Sequence, residues 1–445
     1  METINDNILV VKYSSYKDSG VNWIGDIPTH WEVKKFKRVF YEIKKRSNPE
    51  LNCGSISFGK VVYKDDDKIP ESTKKSYQVV QKGDFLVNPL NLNYDLISLR
   101  IALSDIDVVV SSGYIVLSNI VEIDKTFYKY FLHRFDVAFM KLLGSGVRQT
   151  LNWNDIANCD LIFPPLEEQT AIASFLDYKT SFIDRAIDIK QKQIELLKER
   201  RQILIHKAVT RGLNSNAKMK DSGVEWIGVI PESWEVKRLK SIILDLESGV
   251  SVNASESESA ESNEIGVLKT SCVYNYSFEH FENKKVFQSD LRRVSCPVKE
   301  NNIIISRMNA PELVGASGYV ENNHPNLFLP DRLWQTVFHQ GIDLNVKWLS
   351  KVLITQGFRD CITSIANGSS PSMKNISKGD FLNLRVPYPA IHEQNEIVEF
   401  IEIISNKFKS VISFKEKEIE KLKEYKATLI NSAVTGKIKV SNDAN

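Results

Sequence analysis

The pattern of apolar and polar positions divides this chain into a long helical stretch and a β-rich body, each present twice. The first helical stretch runs from Phe163-Pro-Pro-Leu-Glu-Glu-Gln169 to Ala208-Val-Thr-Arg-Gly212, and the second from Pro387-Tyr-Pro-Ala-Ile-His-Glu-Gln394 to Ala433-Val-Thr-Gly436. Proline at the entry, acidic residues in the first turn and glycine past the last turn are helix start and stop signals. The apolar spacing is heptad-like. In the first copy one seam column is Leu176, Ile183, Lys190, Leu197, Leu204 and the other Thr180, Ile187, Ile194, Arg201, Ala208. In the second copy the columns read Ile401, Phe408, Lys415, Leu422, Leu429 and Ser405, Ile412, Ile419, Lys426, Ala433. Glu168-Gln169 lies over Glu393-Gln394 at an offset of 225 (393 − 168), and Ala208 over Ala433 at the same offset. Two gapless helices with one seam are read as partners of each other. The matching basic breaks, Lys190 with Lys415 and Arg201 with Lys426, read first as register-setting interruptions and second as partner contacts.

A second repeat precedes each body. Lys17-Asp-Ser-Gly-Val-Asn-Trp-Ile-Gly-Asp-Ile-Pro-Thr-His-Trp-Glu-Val-Lys34 recurs as Lys220-Asp-Ser-Gly-Val-Glu-Trp-Ile-Gly-Val-Ile-Pro-Glu-Ser-Trp-Glu-Val-Lys237, an offset of 203 (220 − 17). Tryptophans flanking a Gly/Pro turn read as anchors of a loop in a core. The repeat dictates a geometry. The first helix carries the chain from body one to body two, and an approximate two-fold axis sends the second helix back antiparallel along it. A helix of about forty residues spans about 60 Å. The expected fold is α+β: two globular α/β domains separated by two long antiparallel helices forming a coiled-coil rod. Each entry motif then sits near the end of the other half's helix. The expected boundaries are 1–162 for the first domain with its entry motif, 163–212 for the first helix, 213–386 for the second domain, and 387–445 for the second helix and tail.

The bodies carry short β-rich runs separated by turn residues. Body one has Val61-Val-Tyr63, Tyr77-Gln-Val-Val80, Asp84-Phe-Leu-Val87, Asp107-Val-Val-Val110 and Tyr114-Ile-Val-Leu117, with a helix over 125–143. Body two has Ile265-Gly-Val-Leu268, Asn302-Ile-Ile-Ile-Ser306 and Ala316-Ser-Gly-Tyr-Val320, with a helix over 345–365. The low-complexity tract over 251–262 predicts a mobile loop.

Composition adds little. The 445 residues suffice for two or three domains, and a formal net charge of +2 does not by itself announce a nucleic-acid binder. Cys53, Cys159, Cys272, Cys296 and Cys361 lie far apart without a C-x-x-C spacing, and read as reduced, buried thiols of a cytoplasmic protein. No run approaches the ~20 apolar residues of a membrane span. The start, Met1-Glu-Thr-Ile-Asn-Asp6, is acidic and polar, unlike a signal peptide. Enzyme constellations are missing too: there is no phosphate-binding Gly-rich loop, zinc-protease helix, nucleophile elbow or dinucleotide fingerprint. Asn88-Pro89-Leu90-Asn91 lacks the second proline and the aromatic of an amino-methyltransferase loop.

The Pro-Pro-Leu-Glu-Glu-Gln169 and His392-Glu-Gln394 openings, the two Trp-Ile-Gly-x-Ile-Pro entries and the two divergent bodies together resemble the specificity subunit of type I restriction-modification systems. The resemblance covers nearly the whole chain and rests on the doubled pattern. It implies that each body is a target recognition domain reading half of a bipartite, asymmetric double-stranded DNA sequence. It implies that the helices space the bodies and dock two methyltransferase subunits, which restriction (motor-nuclease) subunits join. The chain itself would be non-catalytic and bind no cofactor, with S-adenosylmethionine, ATP and Mg on the partner subunits.

Base-edge readers are then sought among polar loop residues whose amide and guanidinium groups bond base edges bidentately. The candidates are Asn88, Asn91, Asn93, Arg100, Arg148, Gln149 and Thr150 in body one, and Arg307, Asn309, Arg332, Asn367, Ser369, Ser370 and Lys374 in body two. Phosphate-contact candidates are Lys74, Lys75, Lys284, Lys285, Arg292 and Arg293. The loops at Gly146 and Gly368 rank first, because both sit at matching distances before the long helices. The alternative is a coiled-coil scaffold with two protein-binding domains and no DNA role; a stand-alone nuclease or methyltransferase is the third reading.

Overall fold

The structure is a computed structural model that describes residues 11–67, 69–90, 99–140, 151–370 and 373–440, with backbone only at 369 and 370. The chain forms two compact units, Met1–Lys190 with Glu416–Asn445, and Gln191–Lys415. The two long helices, Leu166–Arg211 and Ile391–Val434, therefore contribute to both. Their first residues stand 225 apart (391 − 166), at the offset of the sequence repeat.

Within each unit the helical segments pair antiparallel. In the first, Lys190 Nζ meets Glu418 at 2.8 Å and Lys426 Nζ meets Asp184 at 2.6 Å. In the second, Lys415 Nζ donates to Gln193 Oε1 at 2.7 Å. Three of the four basic breaks thus fix register by reaching across the seam. The fourth, Arg201, has a buried Nε without a hydrogen-bond partner. The apolar seam positions Leu176, Ile183, Ile187, Ile194, Ile401 and Ile419 are buried, as the heptad reading requires.

The doubled Glu-Gln pair proves to be a joint. Gln169 is fully buried; its Nε2 donates to the Pro164 carbonyl at 2.8 Å, and its Oε1 accepts from Asp124 N at 2.9 Å. Asp124 caps the body helix Lys125–Ala138 through Phe127 N. Gln394 repeats this, bonding the Pro389 carbonyl and Asn345 N, and Asn345 caps the helix Val346–Leu353. The neighbouring glutamates hold the entry motifs: Trp31 Nε1 donates to Glu168 at 3.0 Å and Trp234 Nε1 to Glu393 at 3.0 Å. Both indoles are fully buried.

Each indole also lies over the glycine that ends the other long helix. A Cβ on Gly436 would stand 2.9 Å from Trp31, and one on Gly212 3.1 Å from Trp234; both glycines have positive φ. Every entry motif therefore ties the start of one long helix to the end of the other, as the repeat predicts.

Each body has its own four-stranded antiparallel sheet. In the first unit its order is Phe40–Glu42, Ile115–Asn119, Phe85–Val87, Ile101–Leu103; in the second it is Ile243–Glu247, Leu333–Phe338, Asn302–Ser306, Ser317–Val320. The second unit adds another four-stranded sheet containing a parallel pair, Gly266–Leu268 with His324–Phe328.

Three expectations need correction. The helix read over 345–365 is two, Val346–Leu353 and Gln356–Ile365, because Thr355 is extended and bonds back to the Val352 carbonyl through its N and Oγ1. The tract over 251–262 is tied down: Asn253 bonds Asp290 through both its backbone and side-chain nitrogens, and Ala254 bridges Val286. Of the cysteines, Cys53 and Cys272 are buried, whereas Cys159, Cys296 and Cys361 are only partly so.

Candidate nucleic-acid interface

In the second unit the central strand Asn302–Ser306 passes through a bend at Arg307 into the short strand Met308–Asn309. This extension enters a second sheet of three strands, ordered Met308–Asn309, Met373–Asn375, Asn367–Ser370. Asn309 stands opposite Lys374, and Asn367 opposite Asn375. Arg307 joins both sides: its N–H donates to the Arg332 carbonyl at 3.0 Å, and its carbonyl accepts from Ile376 N at 3.0 Å. Residues scattered over 68 positions (374 − 307 + 1) thus converge on one small platform.

Their side chains divide by availability. Arg332 and Asn367 are exposed and Lys374 is half-buried. Among the described residues neither Arg332 nor Lys374 makes an ion pair. Arg307 keeps a buried Nε with no hydrogen-bond partner. Asn309 is committed elsewhere. Its Nδ2 donates to Tyr274 Oη at 2.9 Å and Ser306 Oγ at 3.2 Å, while its Oδ1 accepts from Ala310 N. It holds the platform's shape.

The first unit repeats the frame. Asn88 N bonds the Arg100 carbonyl as Ser306 N bonds the Ala316 carbonyl; Leu151 N bonds the Pro89 carbonyl as Ile376 N bonds that of Arg307. Asn88 is half-buried and its Oδ1 accepts from Leu90 N at 3.1 Å. Arg100 departs from its reading as an exposed reader. It is 6% exposed, and its backbone N and its Nε bond Asp136 at 2.6 and 2.9 Å. A guanidinium engaged with Asp136 inside the core presents little to a ligand. Asn91, Asn93, Arg148, Gln149 and Thr150 lie outside the described residues, as do the side chains of Ser369 and Ser370.

Most phosphate-contact candidates are paired within the chain: Lys74 with Asp66 at 2.7 Å, Lys75 with Glu71 at 3.1 Å, Lys285 with Glu264 at 2.7 Å and Arg293 with Asp290 at 3.1 Å. Lys284, half-buried, and Arg292, exposed, have no ion pair among the described residues. Sequence reasoning missed Tyr274 and Arg359. Tyr274 Oη bonds Thr270 and Asn309, and Arg359 donates to the Glu312 carbonyl at 3.1 Å. Burial pushes the Arg359 guanidinium below its ordinary value. Neither residue carries a sequence signal, because each acts through a contact 35 or more positions away.

The chain thus repeats one frame twice, with the same joints in each half. The family described as the type I restriction modification DNA specificity domain matches residues 30–199 and 231–424. The chain belongs to that family. It is 24% identical over 427 residues to the type I restriction enzyme MjaVIII specificity subunit of Methanocaldococcus jannaschii, covering 94% of this chain and 95% of that one. It is 28% identical over 174 residues to the EcoEI specificity subunit of Escherichia coli, covering 39% and 29%. Among solved structures, a chain from work titled as the structural basis of complex assembly and conformational transition of the type I R-M system superposes with a TM-score of 0.64. That pair is 16% identical, with 92% and 98% covered. No helix among the described residues is long and apolar enough to cross a membrane.

Proposed function

We propose that the chain gives a type I restriction-modification complex its choice of DNA sequence by reading a bipartite, asymmetric target, one half-site per body, and that it does no chemistry itself. The observation that carries this reading is the pair of matched frames bearing unmatched surfaces. Joints that repeat residue for residue suit equivalent partners, and loops that differ suit different half-sites. In the second body Arg332, Lys374 and Asn367 are the base-edge or phosphate contacts, with Arg307 and Asn309 shaping the platform beneath them. In the first, Asn88, Asn91, Asn93 and the 148–150 loop take that part. The long helices set the gap between half-sites and dock two methyltransferase subunits, to which restriction subunits add. S-adenosylmethionine, ATP and Mg belong to those partners, and the complex works in the cytoplasm.

The test is to map methylated adenines in cells carrying either the unaltered chain or a variant lacking one heptad from each long helix. Seven residues keep the seam in phase and shorten each helix by about 10 Å, or about three base pairs of duplex. The expected result is an unchanged pair of half-site sequences with a shorter gap. An unchanged gap overturns the ruler role. Methylation that persists unaltered when the gene is deleted overturns the DNA reading and favours a scaffold without DNA.

A further inference from the structure

The corner where a body helix meets its long helix is closed in the first unit and open in the second. In the first, Tyr130 stands six residues after the cap Asp124 (130 − 124) and is 7% exposed. Its Oη bonds the long helix twice, donating to Asp177 Oδ1 at 2.7 Å and meeting Thr180 Oγ1 at 3.1 Å. Burial raises the Tyr130 phenol above its ordinary value, and the Asp177 and Asp184 charges beside the ring raise it further. Asp184 also holds Lys426. A ring and a carboxylate therefore complete this corner.

The second unit keeps the plan and changes the residues. Six positions after the cap Asn345 stands Lys351 (351 − 345). At the offset of 225, Glu402 and Ser405 replace Asp177 and Thr180, Arg201 replaces Lys426, and Lys409 replaces Asp184. Lys347 engages both nearby carboxylates, Glu321 at 2.8 Å and Glu402 at 3.1 Å. Among the described residues neither Lys351 nor Arg201 makes an ion pair, and the Arg201 Nε is buried without a hydrogen-bond partner. Burial pushes the Lys351 ammonium below its ordinary value; Glu402 and Glu321 oppose this, whereas Lys347 and Arg201 add to it. Cations outnumber carboxylates here, the reverse of the first unit.

Two clefts of about 360 and 370 Å³ open at this corner and share Glu321, Lys347, Lys351 and Glu402. Tyr276, Phe278 and Tyr319 wall the second of them, together with His280 and His324, whose rings lie within 16° of parallel at 5.0 Å. That wall is braced from behind: a Cβ on Gly318 would stand 2.6 Å from Phe278 N. An occupant must bring negative charge to Lys351 and a flat ring to the wall, the two things that Asp184 and Tyr130 supply in the first unit. A contact shared by two equivalent methyltransferase subunits would be built alike in both units, and this corner is not.

We infer that the cleft binds a small phosphate monoester carrying an aromatic ring, the class of the nucleoside monophosphates, with Lys351 on the phosphate, Arg201 adding its charge behind, and the ring against the aromatic wall. A phosphate monoester carries nearly two negative charges at pH 7, and charge-assisted bonds to it are strong where water is thinned. Stacking and edge contacts suit a planar base. Bound there, the ligand joins the body helix Val346–Leu353 to the long helices and stiffens the second unit's joint. This function goes beyond the choice of DNA sequence.

The experiment titrates the full chain, without partner subunits, with adenosine monophosphate, adenosine and inorganic phosphate by calorimetry. Expected is one site for adenosine monophosphate, with adenosine and inorganic phosphate each at least about tenfold weaker. Lys351→Met weakens adenosine monophosphate about tenfold or more. Lys351→Tyr, which copies the first unit, abolishes binding; both variants raise the melting temperature of the ligand-free chain, whereas a fold defect lowers it. Tyr130→Phe and Lys374→Ala leave the affinity unchanged. Absence of binding to the unaltered chain overturns the inference, as does equal affinity for inorganic phosphate, which removes the ring from the site. Binding that survives Lys351→Tyr but is lost in Lys374→Ala assigns the anion to the candidate DNA platform and overturns it. Loss of methyltransferase assembly in Lys351→Tyr, with nucleotide affinity kept, assigns the corner to a protein interface and overturns it too.

Discussion

In the first unit the residue after Phe135, which packs on Trp23, is Asp136; it binds Arg100. In the second unit the residue after Phe358, which packs on Trp226, is Arg359; it binds the Glu312 carbonyl. The two helices are fixed to their entry tryptophans in the same way and present opposite charges at the same place. The difference teaches that the frame tolerates either sign, provided the buried group finds a loop partner.

The largest test of this comparison removes one anchor from each side. Asp136→Ala strands the buried Arg100 charge and is expected to destabilise the first unit by about 3–5 kcal/mol. Arg359→Met gives up a bond to a neutral carbonyl and leaves no charge behind, so the second unit should lose only about 1–3 kcal/mol. Denaturant unfolding of the two variants checks the order; equal losses would break the comparison.

A smaller effect separates the units by pH. Burial holds the His133 imidazole down to about 4, and its bond to the Ile101 carbonyl only partly offsets this. A base whose folded pKa lies below its unfolded value of 6.5 adds stability that is present above pH 6.5 and lost as pH falls toward 4. The loss approaches about 3 kcal/mol at the bottom of that window. The position two residues before Phe358 is Gln356, which does not titrate. Acid should therefore loosen the first unit, as read by hydrogen exchange between pH 7 and pH 5, and His133→Gln should flatten the dependence.

The smallest effect lies in the helix seam. Lys426 bridges Asp184 in the first unit, whereas in the second the repeat sets Arg201 against the position of Lys409 (184 + 225). Lys426→Ala should cost under about 1 kcal/mol and less in high salt, because the pair is partly exposed. Lys409→Asp should supply the missing partner and raise the melting temperature slightly. A fall in melting temperature would show that Arg201 is not facing that position.

Much of the fold was legible because local rules and repeats agree. The strand Asn302-Ile-Ile-Ile-Ser306 forms over the residues read from its apolar run, and Gly212 and Gly436 end their helices as glycine signals require. The candidate site was legible in kind, less so in detail. Arg332 is exposed and Lys374 half-buried, whereas Arg100 is buried, and its partner Asp136 is 36 positions away with nothing local to mark the pair.

By itself the sequence determined the doubling, the length and phase of the long helices, and some of the strands, because these depend on periodicity and on neighbours within a turn or two; core strands such as Phe40–Glu42 and Leu333–Phe338 carried no such signal. Only the tertiary structure decided which polar groups are presented and which are consumed. That choice depends on partners brought together by folding, such as Asp136 for Arg100 and Tyr274 for Asn309, and a buried polar group is stable only once such a partner is in place.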